Sequence, residues 1–299
     1  NVRFVITLDA DTRLPRDAAR RLVGKMAHPV NRPQFSEREQ RVIGGYAIMQ
    51  PRVTPALPLG REGSTYQRVS SGPAGIDPYA AAISDVYQDL FGEGTYTGKG
   101  IYDVDAFEAA LAGRVPDNTL LSHDLFEGVF ARAGLASDVE VVEEFPNRYN
   151  VAAKRQHRWV RGDWQLLPWI VGRGWAMPLL GRLRMLDNLR RSLLAPTTLM
   201  AVVFCCLVPM PAAIVGLLLV LATVAIPAFL PSVFLVLPRR AGLRVRNHLG
   251  VLAESLSLAA AQTSLTVAFL PDQAQRAADA IVRTLLRLFV TRRHLLEWT

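Results

Sequence analysis

Charge is missing altogether from Leu193 to Leu237. That stretch is too long for one core helix and long enough for two bilayer crossings. Cysteine is nearly missing too: the only two, Cys205 and Cys206, are adjacent and lie inside the uncharged stretch. Neighbouring thiols exclude a disulfide framework and a metal site of ordinary spacing, and read as small apolar fillers. No zinc-finger spacing and no aromatic-rich RNA motif is present. The formal charge of +8 therefore points to a membrane surface and an anionic substrate, with no nucleic acid as partner. Neither a start methionine nor a signal peptide precedes Asn1, and no internal repeat is evident. The expectation is a segment of a larger polypeptide whose remaining regions act with it.

What is there begins with an apolar, β-branched run, Val2 to Leu8, read as a strand buried on both faces. It ends in Asp9-Ala10-Asp11-Thr12. Residues two apart on an extended chain point the same way, so Asp9 and Asp11 can converge on one cation. Such a pair suits Mg²⁺ or Mn²⁺ held together with substrate phosphate oxygens. The plainer alternative is a turn capping a helix at about 15–27, with Pro15 in its first turn.

The pattern beyond alternates strands and helices, giving an α/β fold class. Val42 to Gln50 reads as a strand ended by Pro51, and the Pro- and Gly-rich stretch Pro55 to Gly75 as a mobile loop. Helices are expected over 78–91, from Asp105 to Leu111 with Asp103 or Asp105 as cap, from Ser122 to Ala133, and over 151–171. Val139 to Glu143 is expected to be a strand. The uncharged stretch splits at Pro209 and Pro211 into helices at about 193–208 and 212–237, a hairpin. Arg182, Arg184, Arg190 and Arg191 precede it, and Arg239, Arg240, Arg244 and Arg246 follow. By the positive-inside rule both ends face the cytoplasm; a buried helical pair of a soluble protein is the alternative. The division expected is a cytoplasmic region over 1–190, a transmembrane hairpin over 191–238, and interfacial or third-span helices over 239–299. Leu249 to Leu270 is apolar but carries Glu254 and Gln262, so it reads either as a third span or as an interfacial helix. Ile281, Val282, Leu285, Leu286, Phe289 and Val290 set against Arg283, Arg287, Arg292 and Arg293 read as a basic amphipathic helix. It lies either on the membrane surface or against the cytoplasmic region.

Two further groupings bear chemistry. Asp124, beside His123 in the first turn of its helix, can serve as a general base toward an acceptor hydroxyl; an acidic residue complementing the helix dipole is the alternative. Arg155, Arg158 and Trp159 are three and four residues apart, so they share a helix face. Two guanidiniums can neutralise a diphosphate and an indole can stack on a sugar. An interfacial Arg- and Trp-bearing helix is the alternative there. Gly98-Lys99-Gly100 is only weakly like a phosphate-cradling loop.

In order, Asp-x-Asp, Ser122-His123-Asp124, Arg155-x-x-Arg158-Trp159 and an apolar tract resemble the processive inverting GT-A-type glycosyltransferases. Those carry Asp-x-Asp, Thr-Glu-Asp and Gln-x-x-Arg-Trp; here Ser-His-Asp stands for Thr-Glu-Asp, and Arg155 replaces the leading Gln. The longer strings Ser71-Gly72-Pro73-Ala74-Gly75-Ile76-Asp77-Pro78-Tyr79, Gly98-Lys99-Gly100-Ile101-Tyr102-Asp103-Val104-Asp105-Ala106-Phe107 and Leu121-Ser122-His123-Asp124-Leu125-Phe126-Glu127-Gly128 resemble the cyclic β-1,2-glucan synthases, glycosyltransferase family 84. So does Arg292-Arg293-His294-Leu295-Leu296-Glu297-Trp298. The resemblance implies a partial GT-A domain followed by membrane helices, in a multi-pass enzyme of the bacterial inner membrane. It implies transfer of glucose from UDP-glucose to the 2-hydroxyl of a growing β-1,2-glucan acceptor. The implied roles are Asp11 and Asp9 at a Mg²⁺ or Mn²⁺ ion, with Asp9 also toward the donor. Asp124 is the implied base, Arg155 and Arg158 face the diphosphate, and Trp159 carries the acceptor. It also implies that the first nucleotide-binding unit precedes Asn1, that a phosphorylase-like region lies elsewhere, and that this segment alone is inactive. Two rival readings remain. Leu8-Asp9-Ala10-Asp11-Thr12, with Asp85 and Asp89 as a late acidic pair, fits a haloacid dehalogenase-type phosphatase. A non-catalytic membrane anchor would use its acids only as helix caps.

Overall fold

The computed structural model describes residues 2–56, 63–71, 86–115, 118–121, 123–172, 177–236 and 245–297. Five strands, β1 (Phe4–Thr7), β2 (Thr12–Arg13), β5 (Ile48–Pro55), β6 (Gly100–Asp103) and β7 (Ala133–Glu143), form one sheet in the order β1-β6-β5-β7-β2. A separate ribbon pairs β3 (Gln34–Ser36) with β4 (Arg41–Gly44). β5 and β7 run parallel, while β6 is antiparallel to both of its neighbours, β1 and β5. β1, β5 and β7 therefore point the same way and end at one edge of the sheet. The expected α/β class holds, with long apolar helices following the sheet.

Alternation along the strands builds a core on each face. On one face Met49, Ile101, Ala136 and Val139 pack against Ala18, Leu22 and Met26 of α1 (Ala18–Met26). Those three helix residues recur every four positions and form a single apolar stripe. On the other face Ile48 and Ala133 meet Phe126, Val129 and Phe130 of α5 (Asp124–Phe130), Trp169 of α7 (Leu167–Val171) and Met185 of α8 (Leu179–Cys205). The result is helix, sheet, helix.

Several boundaries differ from the sequence reading for identifiable reasons. β1 is half-buried rather than buried on both faces, because it is an edge strand covered on one side by β6. The single strand expected over Val42 to Gln50 is two. It breaks where the Tyr46 N–H donates to the Asn31 carbonyl and the Ala47 N–H to the Ala131 carbonyl. Pro51 does not end β5; the strand continues to Pro55, with its pairing to β7 shifting register between Pro51 and Arg52, as an irregularity can accommodate a proline. Within the loop expected from Pro55 to Gly75, Thr65–Ser70 is a helix (α2), with the Ser64 hydroxyl accepting from the Gln67 N–H. Val86–Phe91 is helical (α3), and the rest of the helix expected over 78–91 lies outside the described residues. α4 (Val104–Leu111) is capped by the Asp103 carboxylate, which accepts from the Ala106 N–H. The helix expected over 151–171 is two, α6 (Tyr149–Gln165) and α7, parted just ahead of Pro168.

After the α/β layers come α8, α9 (Met210–Val233) and α10 (Val245–Leu285), the last continued by a π-helical turn over Leu286–Thr291. Among the described residues two helices are long and apolar enough to cross a membrane, Met210–Val233 and Val245–Thr291; α8, expected to supply the first span, is not one of them. α8 also begins well before residue 190 and carries buried Arg184. That guanidinium donates to the Gly94 carbonyl at 2.9 Å and the Glu93 carbonyl at 2.5 Å. Arg182 donates to the Gly172 carbonyl, and Arg190 and Arg191 pair with Asp187, so this cluster is engaged with protein groups. Arg239, Arg240 and Arg244 lie outside the described residues. The end of α10 takes the packed option: Ala280 and Ile281 bury against Val160 of α6 with Leu285 and Trp164 around them. Val282, Leu286, Phe289 and Val290 stay exposed.

Candidate active site

The edge where β1, β5 and β7 finish gathers the charged residues, as parallel strands do with ligand-binding groups in open α/β sheets. β1 pairs with β6 so that Thr7 faces Gly100, and Lys99 therefore arrives beside the turn that follows β1. β7 ends with Glu143 opposite Thr12 of β2, while the Glu144 N–H donates to the Asp11 carbonyl. Two short pairings thus bring Asp9, Asp11, Lys99 and Glu143 together. Their charges interlock. The Lys99 ammonium lies 2.7 Å from an Asp9 oxygen and 3.4 Å from a Glu143 oxygen. Arg155, reaching over from α6, lies 2.8 Å from the other Glu143 oxygen and 3.6 Å from Asp11.

Burial alone would lower the pKa of Lys99. The hydrogen bond to Asp9 and the charges of Glu143 and Asp9 outweigh it and hold the ammonium above its ordinary value. Only 7% of the Lys99 side chain is exposed, against 57% for Asp9. The cation is buried and the carboxylate faces out. One oxygen from each of Asp9, Asp11 and Glu143 falls within 4.8 Å of the others. A set of oxygen donors fits a hard divalent cation such as Mg²⁺ or Mn²⁺.

Gly98-Lys99-Gly100 is held on both sides. Buried Gln50 of β5 accepts from the Thr97 N–H at 2.6 Å and the Thr97 hydroxyl at 3.0 Å, extending the ladder past the last strand pair. Gly98 has φ +81° and faces Asp124: a Cβ there would sit 3.1 Å from an Asp124 carboxylate oxygen. Gly100 has φ +154°, and its Cβ would stand 2.4 Å from the Met49 carbonyl. Both positions need a residue without a side chain.

Asp124 opens α5 directly beneath that loop. Burial first, then the Glu127 charge, push its pKa up to about 6; His123 and Lys99 pull the other way. His123 precedes it as cap position without a capping bond. Its ring pairs with Glu127 at 2.5 Å, which raises the His123 pKa. A buried carboxyl tuned to the neutral range, beside a cationic and carboxylate cluster, is suited to accept a proton.

Asp9, Asp11, Asp124 and Arg155 therefore fall in one neighbourhood. The Arg155 guanidinium lies over the Trp159 ring, 4.7 Å from its centroid, and Trp159 keeps 42% of its surface exposed. One indole face is covered by the guanidinium. Arg158, three residues after Arg155 on α6, is half-buried. Asp89 is exposed on α3, and Asp85 and Ser122 lie outside the described residues. Sequence reasoning missed Glu143, Gln50 and the weight of Lys99. Glu143 did carry a signal: it is the last residue of the strand expected over Val139 to Glu143.

No family model matches the chain. The chain is 50% identical over 299 residues, 99% of its length, to the cyclic beta-(1,2)-glucan synthase NdvB of Rhizobium meliloti (strain 1021). It spans 10% of that protein's length. The family resemblance carried by the motifs is thus matched along the whole chain by one segment of a curated glucan synthase.

Proposed function

We propose that this chain, kin to a segment of a cyclic β-(1,2)-glucan synthase, carries the transfer site of an inverting glucosyltransferase. Within its complete polypeptide it moves glucose from UDP-glucose to the 2-hydroxyl of a growing β-1,2-glucan. The setting is the bacterial inner membrane, with the α/β layers cytoplasmic and the apolar helices multi-pass. The observation that carries this reading is the meeting of Asp9, Asp11, Glu143, Lys99 and Arg155 with Asp124 at one edge of the sheet.

Asp124 takes the proton of the acceptor 2-hydroxyl while the oxygen of that hydroxyl bonds to the donor's anomeric carbon. The bond from that carbon to the diphosphate breaks on the opposite face, and UDP leaves with the electron pair. General-base help is worth roughly 10²–10⁴-fold. Arg155 presents cationic N–H groups to the diphosphate side, where negative charge grows as the bond breaks, and Lys99, buried behind Asp9, holds that carboxylate in place. Arg158 extends the cationic face of α6, and the open face of Trp159 takes the acceptor sugar ring. Asp9, Asp11 and Glu143 are the ligands offered to Mg²⁺ or Mn²⁺, which supplies charge neutralisation at the leaving group when bound.

The test is to offer membranes bearing the full-length protein UDP-[¹⁴C]glucose with Mg²⁺ or Mn²⁺ and to analyse product linkage. Labelled β-1,2-linked polymer is expected. Absence of polymer, or release of nitrophenol from p-nitrophenyl phosphate instead, contradicts the reading.

A further inference from the structure

α6 carries Arg155 in its first half and ends on Gln165, a residue 1% exposed. Both ends of that amide are used. Its carbonyl oxygen accepts from the Leu121 N–H at 2.7 Å, and its NH₂ donates to the Leu295 carbonyl at 2.9 Å. A backbone N–H can pair only with the oxygen and a carbonyl only with the nitrogen, so the partners fix which way the amide points. One turn earlier on the same helix face, Arg161 is 2% exposed. It donates to the Glu297 carbonyl at 2.9 Å and to the Leu295 carbonyl at 3.4 Å.

The segment after α10 is shaped to meet these groups. Arg292 and His294 both hold left-handed backbone conformations, with φ of 51° and 59°, which only a few per cent of non-glycine residues adopt. The Arg287 guanidinium bonds the His294 carbonyl at 2.7 Å and Glu297 at 2.7 Å. The segment is thereby folded back on the helix it follows and presents its carbonyls to α6. On the other side, Leu121 lies three residues ahead of Asp124.

We propose that Gln165 is a positioning residue that ties the approach to Asp124 to the segment following α10. Seating of residues 295–297 on Arg161 and Gln165 holds the Leu121 backbone, and with it the entry of α5, where Asp124 meets the Gly98–Lys99 loop. The last long helix and the proposed base are thus linked through one buried amide. This rests on reading Asp124 as the base, and the test separates the two ideas.

In the full-length protein, Gln165→Leu removes both bonds, and Gln165→Glu keeps an acceptor for Leu121. Amide hydrogen exchange, measured without substrate, is expected to speed up at Leu121 in Gln165→Leu and to stay near wild type in Gln165→Glu. Displacement of a reacting group by about 1 Å costs up to roughly 10²-fold. The Gln165→Leu kcat for glucosyl transfer should therefore fall by roughly 10–10²-fold, with KM for UDP-glucose within about twofold, and Gln165→Glu should regain part of it. Unchanged exchange at Leu121 in Gln165→Leu overturns the link. Faster exchange with an unchanged kcat, or a loss confined to KM, overturns the positioning role. If the wild-type protein transfers no glucose, the exchange measurement still decides the link, while the proposed function alone fails.

Discussion

Lys99 shows how much one buried charge can organise. A lysine ammonium with almost no exposed surface persists only if carboxylates surround it, and here Asp9 and Glu143 do so. Removing one member of a buried charge pair costs about 3–5 kcal/mol. The lower end applies, because Asp9 is more than half exposed to screening solvent. Lys99→Met should thus lower the unfolding midpoint of the purified protein and weaken UDP binding; unchanged values for both would remove Lys99 from the site. The Asp124 pKa of about 6 makes a second residue-scale prediction. A base works only when ionised, so glucosyl transfer should rise with pH on an acid limb near 6 and level off above it. A flat profile between pH 5 and 7 contradicts Asp124 as the titrating group.

At the scale of elements, α8 is more than a lead-in to apolar helices. Arg184 sends its guanidinium into the loop before Gly98, and the Gly94 and Glu93 carbonyls accept from it. Each buried polar group left without its partner costs about 1–3 kcal/mol. With two carbonyls losing their donor, Arg184→Met is therefore expected to destabilise the fold by about 2–6 kcal/mol and to speed proteolysis in the 92–98 loop. An unchanged loop would show that α8 does not support it. The sequence made some of this legible and hid the rest. Asp9 and Asp11 stood out because a β-branched strand ended in them, and Asp124 because its helix began there. The parts played by Glu143 and Lys99 were not legible because they come from sheet pairing, Thr7 with Gly100 and Thr12 with Glu143. Such register lies between distant segments, beyond what local periodicity records. The same limit explains β1, read as fully buried from its composition although it lies at an edge.

For the whole molecule, the arginines ahead of α9 were read as a topology signal, yet Arg184 is buried and Arg190 and Arg191 are paired with Asp187. Helix α10, at about 62 Å by rise per residue, is about twice as long as a bilayer's apolar layer is thick. It is tied to the α/β layers near its middle, through Gln262 to the Val69 carbonyl, and near its end, through Ile281 against Val160. With the α/β layers cytoplasmic, the hairpin expected from the sequence needs the end of α8 to cross with α9 and so places the α8–α9 turn away from the cytoplasm. In a full-length protein lacking other cysteines, Val208→Cys should react with an impermeant maleimide added to intact spheroplasts. Labelling only after lysis contradicts that orientation.

The proposed sugar transfer requires the carboxyl opening α5 to act on an acceptor while the acidic edge of the sheet handles the donor. Full-length Asp124→Asn, compared with wild type for UDP affinity and for incorporation of labelled glucose, separates those two duties. UDP binding within about twofold of wild type, with incorporation reduced by at least roughly 10²-fold, is the predicted outcome; retained incorporation would contradict the account.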